Sequence, residues 1–211
     1  MMIEMLRESW FSLADRYSGD GELKTELFDE LVSYYSHKSR HYHGLTHINN
    51  LLRLTEEYQE HLSQRDQVLW AIWYHDAIYN VRKGNNEEKS AELSMAQLDR
   101  LGLSQEVLTK ISDLILATKS HVLAEDSDFD TAFMLDIDLS ILGSNEADYK
   151  AYTKQIRKEY RIYPDFMYRK GRKKVLHSFL EQERIFKTDL FYPLWEDQAR
   201  ANLGQELNDL A

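Results

Sequence analysis

Histidine and aspartate occur in this chain in two strings that are otherwise aromatic and apolar, RHYHGLTHI over residues 40 to 48 and WYHDAIYN over residues 73 to 80. In the first, His43 and His47 are four apart, which puts both rings on one face if the string is helical. In the second, His75 and Asp76 are consecutive. Neighbours on a helix diverge by about 100°, so both reach a single ion only at a helix end or with His47 opposite. Imidazole and carboxylate together suit a borderline or hard divalent cation. With no cysteine in 211 residues, thiolate ligation and disulfides are excluded.

A third string, FMLDIDLSILG, carries Asp136 and Asp138 among apolar residues. A buried carboxylate without compensation costs several kcal/mol, on the order of an unpaired polar group or more, or is forced to protonate. At least one of the two therefore needs a partner. Leu135, Asp138, Leu139 and Leu142 follow a three-four spacing, which predicts Asp138 on the buried stripe and Asp136 nearer its edge. Asp138 is accordingly the preferred ligand.

The order His47, His75-Asp76, Asp138 resembles the H…HD…D signature of the HD superfamily of metal-dependent phosphohydrolases. Tyr42-His43 followed by His47 is similar to the YHN-x-x-HA string of the cyclic-nucleotide phosphodiesterases, with Gly44 where those have asparagine, and Asp138-Leu139-Ser140 is similar to their DLS. The layout with NEEKSA, LATKSH and LDIDLSILG is closer still to an uncharacterised bacterial family of predicted HD phosphohydrolases. The resemblance implies an all-helical fold, His47, His75, Asp76 and Asp138 as ligands of one divalent ion (Mn, Fe, Co, Ni, Zn or Mg), and His43 as the group that protonates a leaving oxygen. Such an ion acidifies a bound water and polarises a phosphoryl oxygen, and Asp76 or Asp138 would accept the water's proton. The implied function is hydrolysis of a phosphate mono- or diester in a small metabolite such as a nucleotide. The alternative is a non-catalytic metal- or nucleotide-binding module that acts through a partner.

The elements that must position these groups are helices. Only 2 prolines and 8 glycines punctuate the chain, and apolar residues recur at three and four. Leu27, Leu31 and Tyr34 mark one face, Leu51, Leu52, Leu54 and Tyr58 another, and Val68, Ile72 and Ile78 a third. Residues 81 to 86 break the pattern and predict a loop, after which Glu87 and Glu88 open a helix where the dipole favours carboxylates. Val107, Leu108, Ile111, Leu114 and Ile115 predict an amphipathic helix ending near His121. From Tyr149 to Phe186 the composition turns basic and aromatic. The fold expected is all-α, a single HD-type domain over 1–211, with core motifs at 40–142 and a C-terminal helical extension at 149–211.

Substrate-binding candidates are Arg40, for its place in the first string, and His121, for a substrate phosphate or else a second metal site. Arg157, Tyr160 and Arg172 are candidates for a phosphate clamp over the pocket. His37, His61 and His177 read as ordinary surface residues. A formal net charge of -10 repels a phosphate backbone, so nucleic acid is not an expected partner. No apolar run reaches membrane-spanning length and the N-terminus lacks signal-peptide features. A cytoplasmic location, no membrane partner, a small phosphorylated substrate and possible homo-oligomerisation are expected.

Overall fold

Four of the helices here begin where a side chain accepts their first free N–H groups. In a computed structural model, which describes residues 1–210, the chain is all-helical, with no strand among the described residues. It divides into two units, Met1–Ala124 and Glu125–Ala211.

The first unit holds α1 (Met2–Ala14), α2 (Gly21–Tyr35), α3 (Leu45–Glu57), α4 (Arg65–Tyr74), α5 (Asn86–Arg100) and α6 (Gln105–Ala117), with a 3-10 turn at Gln59–His61. Asp20 caps α2 by accepting from Glu22 and Leu23 N–H, and Ser104 caps α6 by accepting from Val107 N–H. Its core is aromatic. The Trp10 ring meets Trp70 edge-on at 4.9 Å and Trp73 at 5.4 Å, the geometry that the ring quadrupole favours. α4 is buried without a break from Val68 to Tyr74 and packs against α3, α5 and α6. A helix apolar all round belongs inside a protein rather than on its face. It stops at Tyr74, so Ile78, expected in the same apolar stretch, lies in the bend beyond it.

The second unit holds α7 (Phe129–Asp138), a 3-10 turn at Ser140–Gly143, α8 (Glu146–Glu159), α9 (Asp165–Leu180) and α10 (Tyr192–Asp209). Asp128 caps α7 and Asn145 caps α8. The 3-10 turn lies directly against α10: a Cβ on Gly143 would sit 2.4 Å from Trp195 Cβ, so only glycine fits. Asn202 on α10 donates to the Leu142 and Ser144 carbonyls, 2.8 Å each, and holds the turn there.

Two buried carboxylates in this unit are stabilised differently. Asp136 accepts from the Lys187 N–H (2.6 Å), the Thr188 N–H (2.8 Å) and the Thr188 hydroxyl (2.7 Å). Burial still pushes its carboxyl up to about 6. Glu206 is gripped by Arg172 through Nε at 2.8 Å and Nη2 at 2.9 Å, and accepts the Tyr149 hydroxyl at 2.5 Å. Both side chains of this pair are 8% exposed. Removing one member of a buried, hydrogen-bonded pair leaves the other charge uncompensated, so Arg172→Met is expected to destabilise by about 3–5 kcal/mol in urea denaturation. Arg172→Met/Glu206→Leu together should recover most of that loss, and a double variant as unstable as the single one would refute this account.

Candidate metal centre

Three of the four expected ligands meet in the first unit. His47 lies in the first turn of α3, His75 is the C-cap of α4, and Asp76 follows in the turn. His47 Nε2 is 3.2 Å from His75 Nε2, and His75 Nε2 is 3.3 Å from Asp76 Oδ2. One ligand atom from each lies within 4.8 Å of the others. The helix end is what lets consecutive residues converge.

The proton on His75 is placed by its other nitrogen. Nδ1 lies 2.9 Å from the Ile72 carbonyl oxygen, which can only accept, so Nδ1 carries a hydrogen and Nε2 is the nitrogen turned to the cluster. Nε2 faces a second imidazole nitrogen and a carboxylate oxygen. Metal–nitrogen bonds of about 2.1 Å separate adjacent donors by roughly 3.0–3.4 Å, and the two spacings from His75 Nε2 fall in that range. The donor set therefore fits a divalent cation. The backbone hydrogen bond on the far side of the ring is the usual orienting partner of a metal-bound histidine.

His43 does not share a helix with His47, contrary to expectation. Gly44 is the N-cap of α3, so His43 belongs to the preceding turn. The turn nonetheless brings the His43 ring to 6.1 Å from His47, between Tyr42 at 4.9 Å and Tyr79 at 4.4 Å. Gly44 has a packing reason, because a Cβ there would lie 3.2 Å from the Tyr35 carbonyl oxygen.

Arg40 was expected at substrate phosphate. It instead donates to main-chain carbonyls of both strings: Nη1 to His43 at 3.0 Å and Asp76 at 2.6 Å, and Nη2 to Ala77 at 2.7 Å. Its guanidinium also lies over the Tyr35 and Tyr79 rings. It is a positioning residue that ties the 40–44 turn to the 75–79 turn. The segment after Asp76 is held by α5. Ser90 Oγ accepts the Ile78 N–H, and the Asn86 amide pairs with both backbone groups of Asn80. Glu88 pairs with Lys119 just beyond α6, which links the NEEKSA and LATKSH strings. Tyr79, Asn86 and Ser90 had no assigned role in the sequence reading. Asn86 and Ser90, four apart in the string NEEKSA, were the available signal.

The remaining candidates take other places. Asp138 belongs to the second unit, as the last residue of α7, and is half-buried. Asp136, not Asp138, is the fully buried one, the reverse of the expected order. Residues Ala132 to Ile137 are all buried in this short helix, so the apolar stripe does not discriminate. His121 follows α6 in the left-handed region at φ 51°. Arg157 pairs with Asp165 and donates to the Tyr160 and Tyr163 carbonyls, closing the α8–α9 turn. Tyr160 ends α8 with its ring beside Tyr163 and Tyr168. Arg172 is committed to Glu206. Arg157 and Arg172, expected in a phosphate clamp with Tyr160, thus both have acceptors inside the second unit.

Calorimetric titration with Mn, Co, Ni or Zn is expected to show ion binding that His75→Ala removes; unchanged binding in that variant would overturn the assignment. Arg40→Ala should cost about 2–3 kcal/mol in urea denaturation, as hydrogen bonds from a charged donor are lost, and Arg40→Lys should not restore it, since one ammonium cannot replace the planar fork. A stable Arg40→Ala variant would remove Arg40 from its positioning role. No family model, curated protein or solved structure matches the chain, so its functional reading rests on these residues and on the motif resemblance.

Proposed function

We propose that the chain is a metal-dependent phosphohydrolase acting on a mono- or diester of a small phosphorylated metabolite, with a nucleotide as the leading candidate. The observation that carries this reading is the pair of buried imidazole Nε2 atoms 3.2 Å apart with the Asp76 carboxylate beside them. Together they offer three donor atoms of the kinds a borderline divalent ion takes. Asp138 is proposed as the fourth ligand on the motif resemblance; its rival Asp136 accepts three hydrogen bonds from residues 187 and 188.

When bound, a divalent ion supplies Lewis acidity toward a phosphoryl oxygen and lowers the pKa of a water. The chain's own residues supply the rest. Asp76, partly open to solvent, accepts a proton from the attacking water. His43, half-buried between Tyr42 and Tyr79, donates a proton to the departing oxygen; imidazole titrates near neutral pH and so serves this role well. Tyr79 and Arg40 keep that ring and the His75-Asp76 turn in register.

The test is hydrolysis of a panel of nucleotides and sugar phosphates with Mn, Co, Ni, Mg or Zn, comparing the natural chain with His75→Ala/Asp76→Ala. Metal-dependent turnover, lost in the double variant, is the expected result. His43→Ala should lower kcat by about 10²–10⁴-fold while leaving metal affinity unchanged. Asp138→Asn should weaken metal binding and Asp136→Asn should not. Tight metal binding with no turnover on any ester would overturn the enzymatic reading in favour of a binding module.

A further inference from the structure

Charge along the second unit is segregated into adjoining blocks. Residues 120–149 carry eight acidic side chains and no lysine or arginine, whereas residues 150–174 carry ten basic and two acidic ones. Internal pairing leaves much of the basic block unused. Arg172 is paired with Glu206, Arg157 with Asp165 and Lys150 with Glu146. Among the described residues no ion pair engages Lys158, Arg161, Lys170 or Lys174, all exposed or nearly so.

The same block exposes apolar side chains at the α8–α9 turn. Phe166 is 73% exposed, and Met167 and Ile162 are also open. Spacing on α9 puts Phe166, Lys170 and Lys174 on one stripe, with Met167 beside them, and their exposure places that stripe in solvent. The segment leading into α7 has the opposite character, with Glu125 and Asp126 exposed next to exposed Phe129. Each surface combines apolar contact area with one sign of charge, and the two signs are complementary, which is the composition of a recognition surface rather than of a merely solvated face.

We infer that the α8–α9 hairpin of one copy docks on the acidic Glu125–Phe129 segment of a second copy. Every chain carries both surfaces, so a two-fold pair makes the contact twice and leaves neither uncovered. A phosphate polymer or an anionic lipid surface would meet the acidic block and the net charge of -10 along with the hairpin; a second copy brings the acidic Glu125–Phe129 segment to the basic face. This inference does not depend on the hydrolase reading.

Sedimentation velocity of the full chain over a concentration series, at low and high salt, tests it. The expected result is a dimer that weakens with salt, as contacts between exposed charges are screened. Lys170→Glu/Lys174→Glu and, separately, Phe166→Ser should each raise the dimer dissociation constant by about tenfold or more, with an unchanged helical circular-dichroism spectrum. Adding Glu125→Lys/Asp126→Lys to the first variant should restore dimerisation, a rescue that general damage to the fold cannot give. A monomer at every concentration, or a dimer indifferent to all these variants, would overturn the inference. So would a monomer that co-sediments with phosphatidylglycerol vesicles and loses them in Lys170→Glu/Lys174→Glu, an outcome that assigns the hairpin to lipid.

Discussion

A helix buried through to its C-terminus must end with its polar groups satisfied, and α4, buried from Val68 to Tyr74, runs out into His75 and Asp76. The last carbonyls of any helix lack intrahelical donors. Here the Ile72 carbonyl takes the His75 Nδ1 hydrogen and the Trp73 carbonyl takes the Tyr35 hydroxyl, while in the turn beyond the helix Arg40 bridges the carbonyls of His43, Asp76 and Ala77. One need, closing the C-terminus of an apolar helix, thus fixes the tautomer and direction of a candidate ligand. The chemistry at Nε2 is a consequence of backbone accounting at Nδ1.

Around that helix end the first unit reads as a set of braces. Ser90 and Asn86 hold the chain after Asp76 from α5, Arg40 holds it from the 40–44 turn, and the Tyr79 ring lies against His43. None of these contacts is large alone. Together they restrict two turns whose unrestrained loops would let the imidazoles drift apart, and positioning to a fraction of an ångström is what metal and proton-transfer chemistry demand. Aromatic packing of Trp10, Trp70 and Trp73 supplies the rigid support beneath.

The second unit handles the expense of burying charge in two ways. Asp136 is surrounded by N–H donors of the 187–188 segment, and Glu206 by a planar guanidinium and a tyrosine hydroxyl. Both use up residues that the sequence makes look functional: a carboxylate in an apolar string, and an arginine in a basic aromatic stretch. Charges left over after such pairing fall on the exposed faces of α8 and α9, where solvent makes them inexpensive to keep and available to a partner.

The sequence by itself determined that the chain is helical, because sparse glycine and proline and a three-four apolar rhythm admit little else. It also singled out His47, His75 and Asp76, since imidazoles and carboxylates in aromatic strings stand out from a solvated face. What it could not rank were the neighbours. Asp136 and Asp138 differ by two residues in one apolar string, and their burial is decided by where α7 stops and which loop covers it, neither of which has a local signature. Arg40, Arg157 and Arg172 are alike in sequence, yet Arg157 is held by its own adjoining turn, whereas Arg40 meets the carbonyls of Asp76 and Ala77 and Arg172 a glutamate 34 residues away. Residue type and spacing set what chemistry is available; only tertiary structure decides which groups are already satisfied by the fold and which remain to act.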